Sequence, residues 1–275
     1  MCGWALPSRR GGVPVGVVTS YACHPVVLGP DNHRFTRDYP GYLLDAVEER
    51  WPGCIALFLS GCSGQVNSGH LASASLTGEP TASRTFEVAQ DLGERLAGAA
   101  LAAIERGARP VRATPLRVAH ARVRLPLGPP LSDPAADLAT WRAELASLGT
   151  ADADRRAILR ALVTWAERIA GAPAADVEVE VACWGLGELA LAWFPGEVFV
   201  EHGLELKADD GRGTLVTVAN ALDAPGYLPH ASAYPAGGYE VAEAFRFYGR
   251  PGPYRPEAGE AVGAAMRALL QEVRA

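Results

Sequence analysis

Two stretches, VPVGVVTSYACHPVVLGP over Val13–Pro30 and CIALFLSGCSGQVN over Cys54–Asn67, decide the fold class. In the first, the β-branched run Val13–Tyr21 lies between Gly11-Gly12 and His24-Pro25, so it reads as a buried strand that ends on a loop. In the second, the continuous apolar run Cys54–Leu59 reads as another buried strand, followed by the turn-forming cluster Ser60-Gly61-Cys62-Ser63-Gly64. Between them Asp38-Tyr39-Pro40-Gly41 leads into Tyr42–Trp51. There Leu43, Leu44 and Val47 alternate on a helical period with Asp45 and Glu48-Glu49-Arg50, and Pro52-Gly53 is the stop. Strand, helix, strand predicts a parallel unit, because parallel strands need a crossover.

Outward from that unit the pattern keeps alternating. Apolar residues at three- and four-residue spacing predict a helix over Arg84–Arg106, and VAHARVRL (Val118–Leu125) predicts a strand with one wet face. Pro126–Pro134 is a proline-rich connector. Ala136–Ala172 reads as a helical hairpin with its break at Gly149-Thr150. Val177–Ala182 and Gly187–Phe194 predict two strands joined through Trp184–Gly187. Pro195-Gly196-Glu197 then opens an expected helix running to Lys207, Thr214–Ala219 is a strand, Asn220–Gly238 is irregular, and Glu257–Val273 is a closing amphipathic helix. The expected fold is α/β, a mixed, largely parallel sheet flanked by helices with a helical-hairpin insertion around 136–172. With no repeat or low-complexity linker, residues 1–275 are expected to be a single domain.

Composition narrows the function classes. The 275 residues are 49% hydrophobic, enough for a sizeable core. With 31 acidic against 25 basic residues, net charge −6, non-specific attraction to nucleic acid or anionic lipid is not expected. No apolar run is long enough to cross a bilayer, and Met1-Cys2-Gly3-Trp4 lacks a leader pattern, so the chain reads as soluble and, as it stands, cytoplasmic. The five cysteines form no CxxC pair and read as small buried apolar side chains.

In α/β sheets, ligands collect in loops beyond the carboxyl ends of strands. Those loops carry His24-Pro25, Ser60–Asn67, Pro195-Gly196-Glu197 and Asn220–Tyr239. An imidazole and a carboxylate are standard donors for a zinc-like ion, and a phenol is a feasible third. Each also has an ordinary reading: a hydrogen-bonded histidine at a strand end, an acid in the first turn of a helix, packing tyrosines with exposed hydroxyls. The patterns HExxH, GxxxxGK[ST] and GxGxxG are absent. A serine-hydrolase alternative also exists. Gly61-Cys62-Ser63-Gly64 approaches a nucleophile elbow, but Gln65 replaces the last glycine, and Ser63, Asp223 and His230 follow in triad order.

Taken in order, these stretches resemble the neutral/alkaline non-lysosomal ceramidase family: Tyr21–Pro30, Asp38–Tyr42, FLSGCSGQVN (Phe58–Asn67), Phe194-Pro195-Gly196-Glu197, and Asn220 through Tyr227-Leu228-Pro229 to Gly237-Gly238-Tyr239-Glu240. The resemblance runs from about residue 12 to the C-terminus. It implies one Zn²⁺ held by two histidines, a glutamate and a tyrosine, with an amide as the scissile group. Carried over, His24 is the second histidine, Glu197 the carboxylate, Tyr227 the phenolic ligand, and Tyr239 the residue that polarises the substrate carbonyl. Zinc would act as a Lewis acid and lower the pKa of water.

The match has two departures. The family's first zinc histidine lies upstream of the His24 region, so an N-terminally truncated catalytic domain is expected. Gly64-Gln65-Val66-Asn67 also stands where the family has Gly-Asp-Val-Ser, which puts Asn67 at the serine position and Gln65 at the acid position. The sequence therefore predicts a zinc-dependent hydrolase of an amide or related carbonyl bond, acting on a small-molecule or lipid-like substrate other than ceramide itself. A catalytically degenerate fragment with a binding role and the metal-independent Ser63 enzyme are the alternatives. Relatives are often exported.

Overall fold

A computed structural model describes the backbone of residues 2–6, together with residues 14–71, 75, 82–106, 110–112, 114–169 and 175–275. The decisive stretch folds as expected. Strand β2 (Gly16–Tyr21) pairs in parallel with β3 (Ile55–Ser60), and helix α1 (Asp38–Arg50) makes the crossover. The strand β1 (Cys2–Leu6), which the sequence reading passed over, adds antiparallel to β2. Helix α1 begins earlier than Tyr42, because Pro40 fits a first helical turn, where its missing N–H is no loss. The start of the expected first strand at Val13 and the end of the expected hairpin at 170–172 lie outside the described residues.

The inner face of this sheet buries Val17 and Ala56 against Leu43 and Val47 of α1 and Ala97 of α2 (Phe86–Glu105). Helix α2 starts where Thr85 accepts a hydrogen bond from Val88 N, a cap that stabilises by about 1 kcal/mol.

The second half is a four-stranded sheet in the order β4 (Leu116–Leu125), β5 (Val177–Leu186), β6 (Leu189–Trp193), β8 (Leu215–Val218). The β4–β5 and β5–β6 pairs are antiparallel, while β6–β8 is parallel. The β5–β6 turn falls at Gly187-Glu188 rather than across Trp184–Gly187, so Trp184, Gly185 and Leu186 stay in the ladder. A two-stranded parallel piece, β7 (Glu197–Val198) with β9 (Tyr227–Leu228), completes the strands. The class is mixed α/β as expected, with the strands among the described residues divided over three sheets. The first two meet at a seam where Ala219 N donates to Ser60 O at 2.9 Å.

Helix α7 (Pro256–Arg274) covers the inner face of the second sheet, burying Ala258, Val262, Met266, Leu269, Leu270 and Val273 on one stripe. Its last turn is tied down by Arg274, whose guanidinium meets both oxygens of Asp210 at 3.0 Å. Helices α3 (Pro134–Ser147) and α4 (Ala153–Ile169) form the expected hairpin. Its main anchor is Trp165, which packs on Phe245 and donates Nε1–H to Arg250 O at 2.7 Å.

Candidate active site

The loop after β2 carries His24 and is latched from three sides. Tyr39 Oη donates to Cys23 O at 2.7 Å, and Asp38 Oδ2 accepts from Leu28 N at 2.9 Å. The buried Arg84 donates to the carbonyls of Val26 and Leu28 at 3.2 Å and of Val27 at 3.3 Å. His24 N in turn donates to Val66 O at 2.9 Å, which joins this loop to the one after β3. Both loops leave the carboxyl ends of parallel strands, where the sequence reading placed them.

Glu197 corrects an expectation. It is not in the first turn of a helix but on strand β7, and helix α5 (Val200–Asp210) begins three residues later. The cause is the turn before it. Gly196 has φ +60°, a left-handed conformation that glycine adopts without penalty, and the chain emerges extended. Glu197 N then donates to Gly226 O at 3.0 Å, and Glu197 pairs with Tyr227 across the β7–β9 ladder. The turn is wrapped by Asn220–Asp223, with Asn220 N donating to Gly196 O and Gly196 N to Asp223 O, both at 2.9 Å. Asn220 and Leu222 hold φ values of +56° and +67° in this wrap, local strain retained beside the site.

The structure brings His24, Glu197 and Tyr227 together, with Tyr239 beside them. His24 Nε2 lies 3.4 Å from Glu197 Oε2. Tyr227 is the partner of Glu197 across the β7–β9 ladder, its ring edge-on to the His24 ring at 6.3 Å between centroids. Tyr239 stands 6.0 Å from Tyr227, centroid to centroid. His24 Nε2 is also 3.1 Å from Gly64 O, and since a carbonyl only accepts, that nitrogen carries the proton in this contact. Burial, reinforced by the Glu197 charge, raises the phenol pKa of Tyr227 well above its ordinary value. Tyr239 is pushed up to about 12 by the same causes in the same order, with Glu240 and Glu243 adding to them. At neutral pH Tyr239 is therefore an O–H donor.

The donor set fits a zinc-like ion. Two ligands at about 2.1 Å on a tetrahedral centre stand roughly 3.4 Å apart, and the His24–Glu197 separation has that value. Among the described residues no group of three His, Cys, Asp or Glu side chains converges; the further oxygen-bearing side chain beside His24 is the phenol of Tyr227. A cation at this point would also reverse the electrostatics that now keep the phenol protonated.

Comparison with solved structures bears on the fold. The chain superposes on neutral ceramidase from Pseudomonas aeruginosa with a TM-score of 0.63 over 95% of its length, at 17% identity. It superposes on a ceramidase complexed with C2 with the same score over 98%, at 15% identity. The fold is shared with ceramidase. The chain spans about half the length of these neighbours, 45% and 48% of the two ceramidase chains. No protein-family model matches it, and no curated protein matches it in sequence.

Two residues that depart from the ceramidase pattern have distinct surroundings. Gln65 is a staple: its amide donates to Glu201 Oε2 at 2.5 Å while its Oε1 accepts from Val200 N at 3.0 Å, at the start of α5. Asn67 stands at the meeting of two clefts. One, of about 380 Å³, is lined by Tyr21, Cys23, Tyr39, Leu92 and Leu96 with Arg95 among them. The other, of about 360 Å³, is lined by Gln65, His70, Leu71 and Glu240.

Other candidates are not gathered into the site. Ser63 is buried, its Oγ without a hydrogen-bond partner. His230 spends both ring nitrogens elsewhere, on Glu205 at 3.0 Å and Ser232 at 2.8 Å, and Asp223 accepts from Glu180 N at 3.0 Å. The Ser63–Asp223–His230 trio is therefore not assembled. The thiols of Cys62 and Cys183 are raised to about 12 and that of Cys23 to about 11, chiefly by burial, which leaves them poor nucleophiles. Sequence reasoning missed Tyr248, whose hydroxyl donates to Glu197 Oε1. It belongs to no motif, and only the fold reveals it.

Proposed function

We propose that the chain is a zinc-dependent hydrolase of an amide or related carbonyl bond, acting on a small-molecule or lipid-like substrate. The 3.4 Å approach of His24 to Glu197, with Tyr227 paired to Glu197 on the ladder and its ring edge-on to His24, is the observation that carries this reading. His24, Glu197 and Tyr227 would hold the ion, which supplies Lewis acidity and acidifies water when bound. Metal uptake requires His24 Nε2 to give up the proton it now shares with Gly64 O.

Around that centre the protein's own groups have separate tasks. Tyr239, protonated at neutral pH, donates a hydrogen bond to the oxyanion that develops when the carbonyl is attacked. Asn67 offers an amide N–H and a carbonyl oxygen between the two clefts, where it can orient the bond to be cleaved. The fold shared with ceramidase supports hydrolysis, while Gln65 and Asn67 in place of an acid and a serine favour a substrate other than ceramide.

The test is hydrolysis of a panel of chromogenic acyl amides and esters with and without 1,10-phenanthroline. The reading predicts turnover that the chelator abolishes and added zinc restores, with Tyr239→Phe lowering kcat by about 10²–10³-fold. Turnover that resists the chelator and disappears in Ser63→Ala would establish the serine mechanism instead. Absence of both turnover and metal would leave a degenerate, non-catalytic chain.

A further inference from the structure

We propose that Tyr248 is a positioning residue for Glu197, fixing Oε1 so that Oε2 is the carboxylate atom presented to His24 and to a metal ion. This rests on the metal-binding reading above. A glutamate carboxyl turns through a broad, two-fold torsion, so an unrestrained Glu197 would offer either oxygen or neither. The Tyr248 hydroxyl donates to Oε1, and Oε2 is then the atom 3.4 Å from His24 Nε2. Hydrogen bonds to the free atom of a ligating side chain are a recurrent way of orienting metal ligands.

Tyr248 is itself held in place. Its ring lies against Gly226, where an added Cβ would come within 3.0 Å of two ring carbons, and stands edge-on to Tyr227 at 6.0 Å. The backbone around it is fixed by Arg250 N donating to Phe245 O at 2.9 Å, and Trp165 of the helical hairpin bonds Arg250 O. Tyr239, at the start of the short helix α6 (Tyr239–Ala242), is on the same segment, which the hairpin meets at Phe245 and Arg250.

The experiment compares zinc affinity, by competition with a chromophoric chelator, in the wild type, Tyr248→Phe and Tyr234→Phe. The last removes a tyrosine hydrogen bond to Tyr254 O away from the carboxylate. Urea unfolding of the metal-free proteins and the visible spectrum of the cobalt-loaded proteins accompany it. Tyr248→Phe is expected to weaken zinc about 10–100-fold and to alter the cobalt bands at full occupancy, with the metal-free unfolding midpoint unchanged; Tyr234→Phe keeps wild-type affinity and spectrum. Equal affinity and spectrum in Tyr248→Phe and wild type would overturn the proposal, as would a loss of affinity shared by Tyr234→Phe. A wild type that takes up no zinc overturns the metal reading itself, and this role with it.

Discussion

His24 Nε2 and Glu197 Oε2 come within 3.4 Å of each other from opposite halves of the chain, one after β2 and one on β7. The contact depends on the seam between the sheets, where Gly64 N donates to Val198 O at 2.9 Å and Gly64 O faces His24. A single residue thus gauges the distance between the imidazole and the carboxylate.

Gly64→Ala should therefore disrupt the site. A Cβ there would sit 2.5 Å from Glu197 O and 2.8 Å from the Phe199 ring, so backbone must move. We expect a stability loss of about 1–3 kcal/mol and reduced metal uptake. Unchanged urea unfolding and zinc content would show that the seam is looser than described.

Gln65→Leu removes the staple between the loop after β3 and the start of α5 and leaves the Glu201 carboxylate and Val200 N–H without this partner. The expected cost is about 1–3 kcal/mol, read from the urea midpoint. Gln65→Glu should be destabilising too, since it sets a second carboxylate against Glu201. A neutral result for both would contradict the staple.

The Arg274–Asp210 pair is buried, with side-chain exposures of 6% and 2%, and Arg274 also donates to Thr214 Oγ1 and Glu188 O. Asp210→Ala strands a guanidinium in the interior and should cost about 3–5 kcal/mol. Replacing a buried pair with apolar residues of similar size is milder, so Asp210→Leu combined with Arg274→Met should recover part of the loss. Thermal unfolding of the single and double variants checks this.

His202 gives the fold a pH dependence of definite sign. Burial first, and the neighbouring His230 next among the lowering causes, depress its pKa below the ordinary value of 6.5, against the raising effects of Pro229 O, Glu205 and Glu201. The unfolded chain therefore binds this proton more readily, so stability is full above about pH 6.5 and falls as pH drops through that value towards the lower folded pKa. Urea midpoints measured from pH 7.5 to 5.5 should decline for the wild type and decline less for His202→Gln. Parallel declines would remove His202 from the account.

Much of the fold is legible in the sequence because its signals are local. The β-branched run before His24, the helical period of Tyr42–Trp51 and the apolar Cys54–Leu59 each state their own conformation, and together they require a parallel pair. The helical hairpin is equally local. Glu197 was misplaced because Pro-Gly-Glu reads the same before a helix as in a turn into a strand; what decides it is pairing with Tyr227, a long-range contact. Strand β1 and Tyr248 share that reason: only partners distant in sequence, Ser20 to Gly16 for one and Glu197 for the other, give them their roles. Of the site, the loops were readable and the separation of their atoms was not.

The most direct measurement is the zinc content of the purified chain by elemental analysis, for the wild type, His24→Ala and Glu197→Ala, each confirmed as folded by circular dichroism. The account predicts close to one zinc per wild-type chain and a large loss in both variants. Metal-free wild-type protein that fails to take up added zinc, or variants that keep the wild-type content, would contradict it.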